Sequence, residues 1–184
     1  MTPQRWDDLE QLFGPNGAIA GCWCMWWRLS GRQWDELGMD GRRRALHRLV
    51  TDGDVPGLLA YRDTLPVGWV SLGPRERFGR LQRSPVLGRA GSEDPRVWSI
   101  VCFYLPARER RRGVGRALLD AAVDHARERG ATSLEAYPVD LAAVDRRWSS
   151  NDLFTGVLTM FADAGFQEVA RHRPNRPIVR RDLT

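Results

Sequence analysis

Residues 97–105 form a near-continuous apolar run, residues 114–129 form an amphipathic helix, and only an arginine- and glycine-rich turn separates them. A strand apolar on both faces belongs inside a sheet that is covered on both sides. A helix that follows it so closely folds back over the sheet and returns the chain to a neighbouring strand by a right-handed crossover. Residues 133–138 supply that strand. The pattern predicts an α/β (α+β) fold on a mixed sheet.

The helix is the clearest element. Val114, Ala117, Leu118, Ala121, Ala122, His125 and Ala126 recur at the helical interval, and Asp120, Asp124, Arg127 and Glu128 lie largely off that stripe. Gly130 is placed to cap its C-terminus. His125, on the stripe, reads as a core or interfacial histidine. The turn ahead of the helix is Arg110, Arg111, Arg112, Gly113, Val114, Gly115, Arg116. Glycines let backbone approach a ligand closely, and the first helical N–H groups have no partner within the helix. The helix dipole favours negative charge there, and the arginines add long-range attraction. A phosphate-bearing ligand suits this corner.

Elsewhere, residues 18–29, rich in Trp and Cys, read as a strand on which Trp23, Met25 and Trp27 share one face and Cys22, Cys24, Trp26 and Arg28 the other. Residues 33–51 read as helix, broken at Gly38 and Gly41. Residues 57–61 and 67–72 read as strands joined by a hairpin turn over 62–66, and residues 73–96 as a loop. Residues 140–152 are a polar connector. Residues 153–164 read as a second helix with Phe154, Val157, Leu158 and Phe161 on one face, and 167–171 and 177–183 as terminal strands.

Composition removes several function classes. All 28 basic residues are arginine, so a P-loop NTPase, a protein kinase and Schiff-base chemistry are excluded for want of a lysine. The formal net charge of +5 suits an anionic ligand without demanding nucleic acid, and the helix behind the basic turn carries acids, not a broad basic face. Cys22, Cys24 and Cys102 are too few for a disulfide framework, and no second Cys/His pair follows at zinc-like spacing, so no metal is expected. No apolar run approaches a membrane span, and residues 1–10 lack the apolar core of a secretory signal; the expected location is cytoplasmic.

The spacing Arg110-x-x-Gly113-x-Gly115 and the order strand, helices, hairpin, strand, helix, strand, helix, strand resemble the GNAT acyltransferase superfamily. The segment Cys22 to Arg28 resembles one found in a bacterial branch of it. The resemblance covers roughly residue 18 to the C-terminus, leaving 1–17 as an N-terminal extension of a single domain over 1–184. It implies a sheet of about six or seven strands flanked by helices and splayed between the fourth and fifth. It also implies acetyl-CoA as co-substrate and transfer of its acetyl group, by direct attack, to a primary amine of a small molecule or peptide. Sheet-edge homodimers are common among such proteins; nucleic-acid and membrane partners are not implied.

Carried over residue by residue, the resemblance places the pantetheine arm along Cys102, Phe103 and Tyr104, and the diphosphate on the amides of Arg111, Arg112, Gly113, Val114, Gly115 and Arg116, with Arg110 opening the motif. The side chain of Arg116 or Arg111 would supplement the amides. Pro106 stands four residues before Arg110, where the family commonly has three, which implies a longer turn. The Tyr that protonates the departing thiolate in the family is Phe161 here. This departure motivates an alternative reading, a catalytically weak acyl-CoA sensor. Thr155 and Gly156 are expected near the cofactor arm. Candidate bases are Glu135, Asp140 and the pair Glu93/Asp94. Glu135 lies in an apolar strand where burial would raise its pKa, and Tyr137 on the same face is a substitute acid. An ordinary structural hydrogen-bonded pair accounts equally well for Glu135 and Tyr137.

Overall fold

The structure, a computed structural model, describes residues 1–88, 94–149 and 151–184. Its elements in order are α1 (Trp6–Phe13), α2 (Gly31–Thr51), β1 (Gly57–Arg62), β2 (Leu65–Pro74), α3 (Gly79–Gln82), β3 (Val97–Tyr104), α4 (Val114–Glu128), β4 (Ser133–Ala136), α5 (Leu158–Ala162), β5 (Gln167–Arg173) and β6 (Arg176–Asp182). The six strands form one mixed sheet in the order β1-β2-β3-β4-β6-β5. Only β3 and β4 run parallel, and α4 is the crossover between them.

Helix α4 covers one face. It buries Val114, Leu118, Leu119, Ala122, Val123 and Ala126 against Val70, Ile100, Leu134 and Val179. The buried stripe is rotated from the expected one: Ala117 and Ala121 face solvent, while Leu119 and Val123 face the sheet. Larger side chains gain more by leaving water, so they win the inner face. Gly68 of β2 sets how close α4 comes, since a β-carbon there would stand 2.8 Å from Val114.

The opposite face carries α1, the 14–29 segment and α2 around Trp69, which is fully buried. Residues 18–29 are not a strand. They form consecutive turns, closed by local bonds such as Cys22 N–H to the Ile19 carbonyl (2.9 Å) and Met25 N–H to the Cys22 carbonyl (3.0 Å). Ala18, Ala20, Trp23 and Cys24 hold positive φ, which no strand permits. In α2 the kink falls at Gly38 alone; Gly41 is buried inside the helix. Ser30 caps α2 through a reciprocal box with Gln33.

The second expected helix shrinks to α5. Gly156 stands at φ 83°, and Val157 instead bridges Val139, so residues 151–157 run as turns and extended chain. The hairpin turn is the two residues Asp63 and Thr64. Part of the expected 73–96 loop is ordered as the end of β2, a 3₁₀ turn at Arg75–Arg77 and α3.

Candidate active site

The turn between β3 and α4 is open. Pro106 starts a single 3₁₀ turn, Ala107–Glu109, after which Arg111 (φ 57°) and Gly113 (φ 81°) take left-handed conformations. Two such residues in one turn swing the chain back and leave amides facing outward. Gly113 is the N-cap of α4, no side chain caps the helix, and its first turn carries no acid. The first helical bond joins the Ala117 N–H to the Gly113 carbonyl (3.0 Å), so the amides of Val114, Gly115 and Arg116 precede it. A β-carbon on Gly113 would meet nothing within 4 Å. The residues present therefore fit a diphosphate. Arg111 and Arg112 are exposed beside it, whereas Arg116 is held by Asp120 (2.9 and 3.0 Å) and the Asp163 carbonyl (3.2 Å), and Arg110 donates to the Leu105 carbonyl (3.1 Å). The one acid in the turn, Glu109, is buried and paired with Arg62 at 2.9 Å.

Strand β3 parts from β4 next to this turn. Parallel pairing runs from Val97/Ser133 to Ile100/Ala136 and stops. At the same point β3 carries an extra residue against β2: Ser71 pairs with Cys102 and Leu72 with Ile100, leaving Val101 bulged. A bulge bends its strand and sharpens its twist, and this one falls where the β3–β4 pairing stops. It also turns Val101 and Cys102 toward the same side of the sheet, away from α4, while Phe103 returns to the α4 side. The Val101 carbonyl accepts from the Trp27 indole (3.1 Å). Of the groups freed beyond Ile100, the Phe103 N–H donates to the Phe154 carbonyl (2.6 Å), so the 151–157 segment lies against the strand.

Beside this edge, on the α1/α2 side, a cavity of about 310 Å³ is lined by Cys22, Cys24, Trp26, Trp34, Tyr104 and Phe154, among others. Cys22, Cys24 and Trp26 reach it together from a run of turns. Cys24 accepts from the Trp69 indole (3.1 Å) and lies 3.6 Å from the Cys102 sulfur. Burial, with the neighbouring Cys24 charge, pushes the Cys22 thiol up to about 11. Hydrogen bonding to Cys24 and burial push Cys102 well above the ordinary thiol range. The Cys22 and Cys102 thiols stay protonated at neutral pH. Among the described residues no group of acids, histidines and cysteines is placed to hold a metal.

The expected carboxylates lie elsewhere. Glu135 is fully buried, and both its oxygens are committed: Oε2 to Arg75 (3.0 Å) and the Tyr137 hydroxyl (3.0 Å), Oε1 to Arg180 (2.5 Å). The Tyr137 hydroxyl also meets Ser99 (2.9 Å), and burial plus the Glu135 charge drive this phenol well above its usual range. Neither residue lines the cavity. Asp140 is tied to Arg171 (2.8 Å), a bond that holds its carboxyl below the usual carboxylate range. Asp94 is held by Arg96 and by Thr132 ahead of β4, at the end of the sheet away from the α4 N-terminus. Glu93 lies outside the described residues. Thr155 is buried and accepts from Arg176 (3.0 Å), and Phe161 is enclosed between Phe103 and Phe166. His125 is half-buried against Trp98 near the far end of α4.

Sequence reasoning missed Trp34 and Phe154 as cavity walls, the Val101 bulge, and Arg75 and Arg180 as partners of Glu135. Arg75 is 60 residues from Glu135, and no local pattern links them.

A family model described as acetyltransferase (GNAT) family matches residues 17–145. A search of the curated proteins finds no match. Among solved structures, a ribosomal-protein-alanine N-acetyltransferase from Brucella melitensis is similar at 20% identity, covering 100% of this chain and 97% of that one, with a TM-score of 0.55. The paia N-acetyltransferase from Thermoplasma acidophilum, in complex with coenzyme A, is similar at 12% identity over 99% and 95% of the two chains, with a TM-score of 0.53. An N-acetyltransferase from Staphylococcus aureus Mu50 is similar at 11% identity over 100% and 96%, with a TM-score of 0.54. At these identities the likenesses show the fold.

Proposed function

This chain belongs to the acetyltransferase (GNAT) family, and from that premise we propose that it transfers the acetyl group of acetyl-CoA to a primary amine by direct attack. The observation that carries the reading is the uncapped α4 start, with Gly113 left-handed and open space before it, set beside the freed edge of β3. The amides of Arg111 to Arg116 bind the diphosphate, with the exposed Arg111 and Arg112 adding charge. The pantetheine arm lies along Cys102, Phe103 and Tyr104, taking over the Phe103 N–H from Phe154. Backbone N–H groups of the bulged strand polarise the thioester carbonyl.

Proton handling follows from what the side chains are free to do. Glu135 has both oxygens committed and does not line the cavity, so we assign it a structural role, clamping Arg75 and Arg180. Water serves as the base. The position where the family resemblance puts a tyrosine acid holds the buried Phe161, and a thiol of pKa about 8.5 leaves without one. The bound co-substrate supplies the activated acyl group; the chain positions it and the amine.

The test is release of free CoA from acetyl-CoA in the presence of an amine panel, alongside calorimetric CoA binding. Binding with amine-dependent release supports the reading. Binding with no release across the panel would leave an acyl-CoA sensor, and no binding would refute both.

A further inference from the structure

Resting on the transferase reading, we infer that the cavity beside β3 selects an aromatic amine that is uncharged at neutral pH as the acetyl acceptor. The cavity walls are indole, phenyl, phenol and thiol surfaces with one side-chain amide, that of Asn151, and no carboxylate of the described residues lines them. An ammonium group moved into such a place loses its hydration with no opposite charge to replace it. Cation–π attraction does not rescue it. The Arg80 guanidinium already lies 3.8 Å from the Trp26 ring centroid and the Arg42 guanidinium 3.9 Å from that of Trp34, and the two indoles meet edge to face at 5.1 Å. The aromatic wall is thus backed by two positive charges. An adjoining cavity of about 230 Å³, which shares Trp26 and Phe154, adds Arg173 and Arg176 and, among the described residues, again no acid. The thiols of Cys22 and Cys102 remain neutral and supply no countercharge.

The same choice explains the missing base. An alkylamine resembling the lysine side chain, with a pKa of about 10.4, is neutral in only about one molecule in 2,500 at pH 7. It must lose a proton before it can attack. An amine whose lone pair is shared with a ring arrives neutral. Its nitrogen attacks the thioester carbonyl carbon, the new C–N bond forms, and the C–S bond breaks with its electron pair leaving on sulfur. The nitrogen then gives one proton to water and on to the thiolate. Arylamine and acetyl-CoA become N-acetylarylamine and CoA, with no other reactant.

The experiment compares two isomeric amines, para-ethylaniline and phenethylamine, with the polycation spermidine, on the full chain with saturating acetyl-CoA. Expected is a kcat/KM for para-ethylaniline at least about tenfold above phenethylamine at pH 7. It should be flat from about pH 6 to 9, while phenethylamine rises about tenfold per pH unit as its neutral fraction grows. Preference for phenethylamine or spermidine at pH 7 would overturn the inference and leave the transferase reading intact. Bound CoA with no turnover of any amine would overturn both. A Cys22→Asp variant that is folded by near-UV circular dichroism should shift the ratio toward phenethylamine by about tenfold or more; an unchanged ratio in that folded variant counts against the inference. The wild-type comparison decides the matter where the variant does not fold.

Discussion

At Gly113 the backbone stands at φ 81° with open space where a side chain would project. Placing a carboxylate there sets a negative charge before the outward-facing amides. Gly113→Asp is expected to weaken CoA binding by about 100-fold or more, equivalent to about 2.7 kcal/mol, and to cost the fold only about 1 kcal/mol for the left-handed backbone. Calorimetry and a thermal melt separate these effects, and unchanged affinity in folded protein would contradict the proposed phosphate cradle. Glu135 is the reverse case, a residue whose importance lies in stability. Glu135→Gln removes the charge shared by Arg75 and Arg180 in a fully buried place and is expected to destabilise the fold by about 3–5 kcal/mol. The pH–rate profile of the folded variant should keep the wild-type shape; a changed shape would return Glu135 to catalysis. The glycines of the turn could be read from the sequence because their need is local. The commitment of Glu135 could not, since Arg75 and Arg180 reach it from β2's end and from β6.

Among the elements, the connector between β4 and α5 carries the most consequence. Its Phe154 carbonyl occupies the Phe103 N–H that the pantetheine arm is proposed to take. Binding of CoA is therefore expected to increase hydrogen exchange across residues 151–157 while protecting 113–116, as mass spectrometry of the two states would show; exchange unchanged in both segments would argue that CoA lies elsewhere. The same region has an acid-sensitive tie. Arg171 bonds both Asp140 and Glu168 and holds both carboxyls below their ordinary values of 3.8 and 4.5. Groups whose folded pKa is depressed stabilise the fold above the unfolded pKa and lose that effect as pH falls through the folded one. Asp140→Asn is thus expected to lower the melting temperature at pH 7, with the gap to wild type closing as pH falls below the usual carboxylate range; a gap that persists in acid would refute the tie. Elements with a strong period, β3 and α4, were legible in the sequence. Residues 18–29 were not, because alternating aromatic and small residues fit a strand, while the positive φ values that forbid one are set by packing on Trp69 and α2. Residues 153–157 read as helix because their apolar spacing matched, but Gly156 and the bridge of Val157 to Val139 won.

On the scale of the whole molecule, two features from opposite sides of the sheet meet at one end of β3. The open turn leads into α4 on one face, and the aromatic cavity lies on the other, with the Val101 bulge between them. In the proposed reading, that placement lets a diphosphate held at the turn aim a thioester along the freed strand edge toward the cavity. The order of elements made the turn and strand readable; the bulge and the cavity arise from pairing register and from residues far apart in the chain. The most direct measurement is a crystal structure of the CoA complex. Expected are diphosphate oxygens within hydrogen-bond reach of the amides of Arg111 to Arg116 and the CoA sulfur at the mouth of the cavity walled by Trp26 and Trp34. A diphosphate seated away from that turn, or a sulfur directed at Glu135 instead, would contradict this arrangement.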